Sequence, residues 1–238
     1  MILCIDSGNS RIKWGFHDGS RWLAQAALAQ GDAAGLAALP DAWPEPQRVM
    51  LANVAGADAG ERIRRQLARW ASRFCEVRPQ AEGGGVVNLY DDPSRLGVDR
   101  WCALVGARSL APGACLVVMA GTAVTVDSLD AGGRFLGGMI LPGVDLMRRA
   151  LASETAGLPL ADGHHVAYPR RTGDAIATGA VEAIAGAIER AYARLDDIDK
   201  SCLLSGGNAG LLASALVIPV RRAENLPLEG LRVFAATA

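Results

Sequence analysis

The chain has 238 residues, half of them hydrophobic and 21% charged, with a formal net charge of -1. That composition excludes a disordered chain and fits one large folded domain or two smaller ones. No Lys/Arg-rich run marks a nucleic-acid groove or an anionic membrane surface, and no apolar stretch of about 18 residues spans a bilayer, so neither partner is expected.

The first element is "ILCIDSGNSRIKWGF", residues 2 to 16. An apolar run, Ile2 to Ile5, breaks at small and polar residues and resumes as alternation at Ile12, Trp14 and Phe16. This is a hairpin signal. A strand that carries Asp6 so early does not read as a signal peptide. The tip combines Asp6, Gly8, Asn9, Ser10 and Lys13. Glycine lets a ligand approach the backbone, neighbouring amides form anion-binding concavities, and hydroxyl, amide and ammonium groups suit phosphate oxygens. A carboxylate beside phosphates makes sense as a holder of Mg²⁺, directly or through water. The plain alternative is a hairpin turn that uses glycine and asparagine for turn geometry alone.

"ADAGERIRRQLARWASRF" (57 to 74) reads as one amphipathic helix with Ile63, Leu67 and Trp70 on its apolar face. "RPQAEGGGVVNLY" (78 to 90) reads as a glycine-rich loop. "VDRWCALVGARSLA" (98 to 111) reads as a short buried helix with Asp99 near its start. Asp99 is either a helix cap or a general base kept ionised by the helix dipole. Arg100 beside it suits a polar or anionic group, and Tyr90 is placed to frame a substrate.

"CLVVMAGTAVTVDSLDAGG" (115 to 133) echoes residues 2 to 19. Gly8 and Gly121, and Gly19 and Gly132, share one offset, which points to duplicated domains. Thr122 is the hydroxyl of the second turn. Asp127, in the second strand of the second hairpin, reads as a support for the turn, as an aid to the metal, or as a surface or turn aspartate. "TGDAIATGAVEAIAGAIERAYARL" (172 to 195) is a long helix capped by Thr172 or Asp174. "SCLLSGGNAGLLASAL" (201 to 216) is strand, Gly-Gly turn and helix. Strands alternate with helices, so the fold class is α/β. Cys4, Cys75, Cys102, Cys115 and Cys202 have no C-x-x-C spacing and read as reduced thiols of a cytoplasmic protein. His17, His164 and His165 lack zinc-ligand spacing; the latter two read as solvated loop residues.

"DSGNSRIK", "LGVDRW", "GTAVTVD", "GGMILPG" and "SGG" occur in that order. Together they resemble the type III pantothenate kinases and their Bvg accessory factor relatives, over essentially the whole chain. The resemblance implies two tandem ribonuclease H-like domains of the actin/hexokinase/Hsp70 superfamily, here 1–112 and 113–238, with ATP in a cleft between them. It implies transfer of the ATP γ-phosphate to the terminal hydroxyl of pantothenate, the first step of coenzyme A biosynthesis. Asp6, Ser7, Gly8, Asn9, Ser10, Arg11, Ile12 and Lys13 match its first phosphate motif, with Asp6 toward Mg²⁺, and Gly121 and Thr122 match the second. Asp99 matches its proton acceptor. Tyr90, Gly97, Val98, Asp99 and Arg100 match its pantothenate positions, and Thr172 a further substrate contact. Members are homodimers that use Mg²⁺ and K⁺ or NH₄⁺. Two departures stand out. Met119 occupies the place of an aspartate that binds the monovalent cation in many members, and Leu89 replaces a glycine before the tyrosine. The rival readings are a kinase for a sugar or acyl acceptor, an acceptor-free ATPase, and a non-catalytic nucleotide-binding regulator.

Overall fold

The opening hairpin forms as its pattern demands. In the computed structural model, which describes residues 1–158, 160 and 162–237, β1 (Ile2–Ser7) and β2 (Arg11–His17) run antiparallel. Asp6 lies opposite Lys13 and Ser7 opposite Ile12. Outside them lies β3 (Trp22–Ala29), and on the other side of β1 lie β4 (Arg48–Asn53) and β5 (Phe74–Glu76), both parallel to it. The order is β3-β2-β1-β4-β5.

One face of this sheet buries Leu3, Ile5, Ile12 and Phe16 against Leu36, Ile63, Leu67 and Trp70. The single helix expected over 57 to 74 is two pieces. An α-helix, Ala57–Gln66, ends at Leu67, and a 3₁₀ segment, Ala68–Arg73, follows with Trp70 out of helical geometry at φ -110°, ψ 20°. Ile63, Leu67 and Trp70 still share the core, and the break brings Trp70 edge-on to Phe16, with ring centroids 6.1 Å apart. The segment 78 to 90 is more ordered than a loop. It holds a short hairpin of β6 (Glu82–Gly83) and β7 (Val86–Asn88).

The chain divides into two compact units. Unit 1 is Met1–Pro112 with Gly133–Phe135 and Asn225–Ala238; unit 2 is Gly113–Gly132 with Leu136–Glu224. This differs from a single cut after residue 112 because two later segments return to unit 1. Arg134 and Phe135 pair with Val87 and Asn88 of β7. The C-terminal helix, Leu226–Thr237, sets Leu228 and Leu231 against Cys4, Met50, Val98 and Cys102. It lies along the helix Val98–Leu110 so closely that a Cβ on Gly230 would overlap the Cys102 carbonyl. Only glycine permits that approach.

Unit 2 repeats the plan. β8 (Cys115–Ala120) and β9 (Ala123–Leu129) form the second hairpin. β10 (Arg134–Pro142) flanks β9, while β11 (Ser201–Ser205) and β12 (Arg221–Arg222) continue in parallel beyond β8. Within the seven-strand order β12-β11-β8-β9-β10-β7-β6, the run β10-β9-β8-β11-β12 reproduces the order of the first sheet. Leu116, Val118, Val124 and Val126 pack on Val181, Ile184 and Ile188 of the helix Thr172–Arg194 and on Leu212 of the helix Ala209–Ala215. The long helix has Arg171 at its N-cap with no side-chain cap. Asp174, a candidate cap, instead accepts from the His164 amide, and His165 pairs with Glu182 at 2.7 Å rather than standing solvated. All five cysteines are free; burial pushes the thiols of Cys4, Cys102, Cys115 and Cys202 up, which leaves them unreactive. No described helix is long and apolar enough to cross a membrane.

Candidate active site

Both hairpin tips have the same construction. The Gly8 amide donates to the Arg11 carbonyl at 3.0 Å, and the Gly121 amide to the Ala123 carbonyl at 3.1 Å. Behind each tip, the carbonyl ending the first strand accepts from the chain that leaves the neighbouring parallel strand. Val54 donates to Ser7 at 2.9 Å and Asn208 to Ala120 at 3.1 Å. Neither Gly8 nor Gly121 has a positive φ, and a Cβ on either would meet only ordinary contact at 3.4 Å. Turn geometry therefore does not demand glycine at either tip. What the missing side chains leave is open access to the backbone. Asn9, Ser10, Arg11, Gly121 and Thr122 are exposed around these tips. Gln30 braces the first one: its amide donates to the Ser10 carbonyl at 3.0 Å and its Nε2 to Ser7 Oγ at 3.2 Å.

Asp6 is buried at the end of β1. Loss of water pushes its carboxyl up to about 6; Lys13 across the hairpin opposes that rise, and Asp99 adds to it. Two carboxylates of unit 1 thus share one electrostatic field, although 93 residues separate them in sequence. Among the described residues no group of three or more His, Cys, Asp or Glu gathers as a metal cage. A buried carboxylate with a second one in range and no full countercharge is still a fitting donor for Mg²⁺, which characteristically takes one or two carboxylates, water and phosphate oxygens.

Asp99 is not a cap. The helix Val98–Leu110 has Gly97 at its N-cap and Asp99 at its second position. Asp99 Oδ1 accepts from the Arg100 amide at 2.8 Å, which leaves Oδ2 available. The carboxylate folds back over Gly97, where a Cβ would sit 2.7 Å from Oδ1. Gly97 is thus what permits this orientation. Arg100 is almost fully buried. It donates to the Tyr90 hydroxyl at 2.8 Å, and its guanidinium lies 5.6 Å from the Tyr90 ring centroid and 5.7 Å from that of Phe135. Tyr90 and Phe135 stack with centroids 5.4 Å apart. Asn88 holds the loop beneath: Nδ2 donates to the Gln80 and Pro93 carbonyls, and Oδ1 accepts from the Tyr90 amide.

Unit 1 therefore brings Asp6, Gly97, Val98, Asp99, Arg100 and Tyr90 onto β1, the start of one helix and the loop before it. Leu89 is half exposed beside them. In unit 2, Gly121 and Thr122 form the second tip, and Thr172 is the exposed first residue of its helix. Gly206, at φ +106°, follows β11 and would overlap the Ala120 backbone if it carried a Cβ. Sequence reasoning missed Gln30, Asn88 and Phe135. Asn88 left a faint signal as a polar residue in an apolar strand. Gln30 and Phe135 left none, because their partners are distant in sequence.

Residues 2–194 match the model of the type III pantothenate kinase family. The chain belongs to the type III pantothenate kinase family. It is 62% identical over 235 residues to a type III pantothenate kinase of Dechloromonas aromatica, covering 99% of each chain. It is 51% identical to one of Aromatoleum aromaticum, covering 99% of this chain and 98% of that one. Two solved structures share the fold. One is a protein of Campylobacter jejuni described as a Baf family transcriptional activator, at TM-score 0.66 and 22% identity, covering 99% and 98% of the chains. The other is the activator of 2-hydroxyisocaproyl-CoA dehydratase from Clostridium difficile with bound ADPNP, at TM-score 0.57 and 12% identity, covering 98% and 93%. The fold of this family member is the actin/hexokinase/Hsp70 type, with the β3-β2-β1-β4-β5 order and its repeat.

Proposed function

We propose that this chain transfers the γ-phosphoryl group of ATP to the terminal hydroxyl of pantothenate, the first step of coenzyme A biosynthesis. Beyond family membership, the observation that carries this reading is the pairing of Asp6 and Asp99 in one field beside an open phosphate-compatible tip. A turn that only reversed the chain would have no use for two mutually repelling carboxylates.

The roles follow from position. The backbone at Ser7, Gly8 and Asn9 and the side chains of Asn9, Ser10, Arg11 and Lys13 hold phosphate oxygens at the first tip, which Ile12 anchors through its side chain in the core; Gly121 and Thr122 hold them at the second. Asp6 holds Mg²⁺, directly or through water, and the ion supplies charge neutralisation at the phosphates. Tyr90, Gly97, Val98 and Arg100 form the acceptor wall, with Arg100 held flat by Tyr90 and Phe135 to face a polar group of pantothenate; Thr172 is a further acceptor contact. Asp99 Oδ2 takes the hydroxyl proton as the acceptor oxygen bonds to the γ-phosphorus and ADP leaves. Positioning and charge stabilisation supply most of the acceleration in such a transfer. The protein acts in the cytoplasm as a homodimer, a reading supported by the family resemblance and by Leu136 and Ile140, exposed on one face of β10.

The test is ADP release from Mg·ATP by the purified protein with pantothenate, with sugars or acetate, and with no acceptor. Release that depends on pantothenate supports the reading. Release without any acceptor leaves an ATPase, release with a sugar or acetate leaves another kinase, and ATP binding without release leaves a regulator. Sedimentation velocity tests the dimer.

A further inference from the structure

Three neighbouring strands of unit 2 place Thr125, Met119 and Ser205 in one row. Met119 on β8 is the direct partner of Thr125 on β9 and of Ser205 on β11, so the three side chains leave the sheet on the same face. Ala120, the next residue, faces the helices on the other side. Thr125 is 8% exposed and Ser205 1%. Neither hydroxyl has a hydrogen-bond partner among the described residues.

Two buried, unpaired hydroxyls on either side of one side chain are an unusual arrangement, because buried polar groups are nearly always satisfied. They are hard, neutral oxygens of the kind that ligate alkali cations and ammonium, and they stand at the foot of the Gly121–Thr122 tip. What would make them a cation site is a charged oxygen between them. Met119 supplies a thioether instead: soft, uncharged and a poor ligand for K⁺ or NH₄⁺. A cation stripped of water there would meet no countercharge, and burial without one is prohibitive. Asp127 does not substitute. It lies one side-chain pair deeper on the same face, opposite Val117, about 6–7 Å along the strand, and it already has an interaction of its own. The donor set in this row does not fit the monovalent cation that the family resemblance implies.

We propose that this chain works without a monovalent cation bound at the end of β8, and that Met119 alone closes the site, so that aspartate at 119 opens it. The catalytic half of this statement rests on the kinase reading above; the binding half does not.

The experiment compares chlorides of K⁺, NH₄⁺, Na⁺ and tetramethylammonium at equal ionic strength, with two readouts, thermal melting and pantothenate-dependent ADP release. It uses the wild-type chain, Met119→Asp and Met119→Asn. The wild type is expected to melt and turn over alike in all four salts, within a factor of about two in rate, since no ion binds the native state preferentially. Met119→Asp is expected to melt lowest in tetramethylammonium and to recover saturably, by at least about 5 °C, in K⁺ or NH₄⁺. Met119→Asn, which can satisfy both hydroxyls without a charge, is expected to show no ion preference. A saturable rise of wild-type melting temperature or rate in K⁺ or NH₄⁺ overturns the first half. A folded Met119→Asp chain indifferent to the ion, or one unfolded in every salt, overturns the second. Absence of turnover in all salts counts against the kinase reading, while the melting data still decide whether an ion binds.

Discussion

Asp6 is where function costs this fold stability. Its carboxyl titrates at about 6 rather than its ordinary 3.8, first because β1 buries it and then because Asp99 repels its charge; Lys13 offsets only part of this. A carboxyl whose folded pKa lies above its unfolded one is ionised at a penalty to the folded state. Above pH 6 the penalty is fully present. As the pH falls from 6 toward 3.8 the native chain takes up its proton before the unfolded chain does, and the penalty disappears. At about 1.4 kcal/mol per pH unit, the gap corresponds to about 3 kcal/mol. Asparagine keeps the volume and removes the charge. Asp6→Asn is therefore expected to stabilise the ligand-free protein, in EDTA at pH 7.5, by about 1–3 kcal/mol, which raises the melting temperature by about 2–4 °C per kcal/mol for a chain of this size. The advantage should shrink steadily and vanish near pH 4. The same variant should lose the stabilisation that Mg·ATP confers on the wild type and should not turn over. Melting by circular dichroism across pH, with and without Mg·ATP, reads all of this. An Asp6→Asn chain no more stable than wild type at pH 7.5, or an advantage that does not fall with pH, would refute the argument from burial and Asp99.

Asp99→Asn should lower turnover by about 10²- to 10⁴-fold, the usual loss of a general base, while ATP affinity measured by calorimetry stays within a few-fold; near-normal turnover would remove Asp99 from the mechanism. Arg100→Lys keeps the charge but loses the flat guanidinium beside the stacked rings of Tyr90 and Phe135, and should lower kcat/KM for pantothenate by about tenfold with KM for ATP unchanged. Gly8→Ala and Gly121→Ala should leave the melting temperature within about 2 °C, since each Cβ finds ordinary contact, yet raise KM for ATP; a large loss of stability would return these glycines to turn geometry. Gly206→Ala should destabilise by more than about 2 kcal/mol through its positive φ and the overlap with Ala120, read as lost melting temperature.

Much of the fold was legible because it rests on local pattern. The interrupted apolar runs of residues 2 to 16 and 115 to 129 determine two hairpins, since strand alternation and turn chemistry are both short-range signals. Their common offset was enough to indicate a duplicated plan, and the structure extends it to a shared five-strand order. The ordered motifs around Asp6, Asp99 and Thr122 pointed to a phosphoryl-transfer family. The rest required the packed chain. That Asp99 is not a cap but acts on Asp6 depends on where α-helix and strand meet, across 93 residues. The grip of Phe135 on Tyr90 and Arg100, and the return of the C-terminal helix over Gly230, are contacts between segments with no periodicity in common. The sequence showed a methionine where the family resemblance implies an aspartate. Only the strand register revealed that two buried hydroxyls stand unpaired beside it, because register is a property of neighbouring strands and not of any one of them.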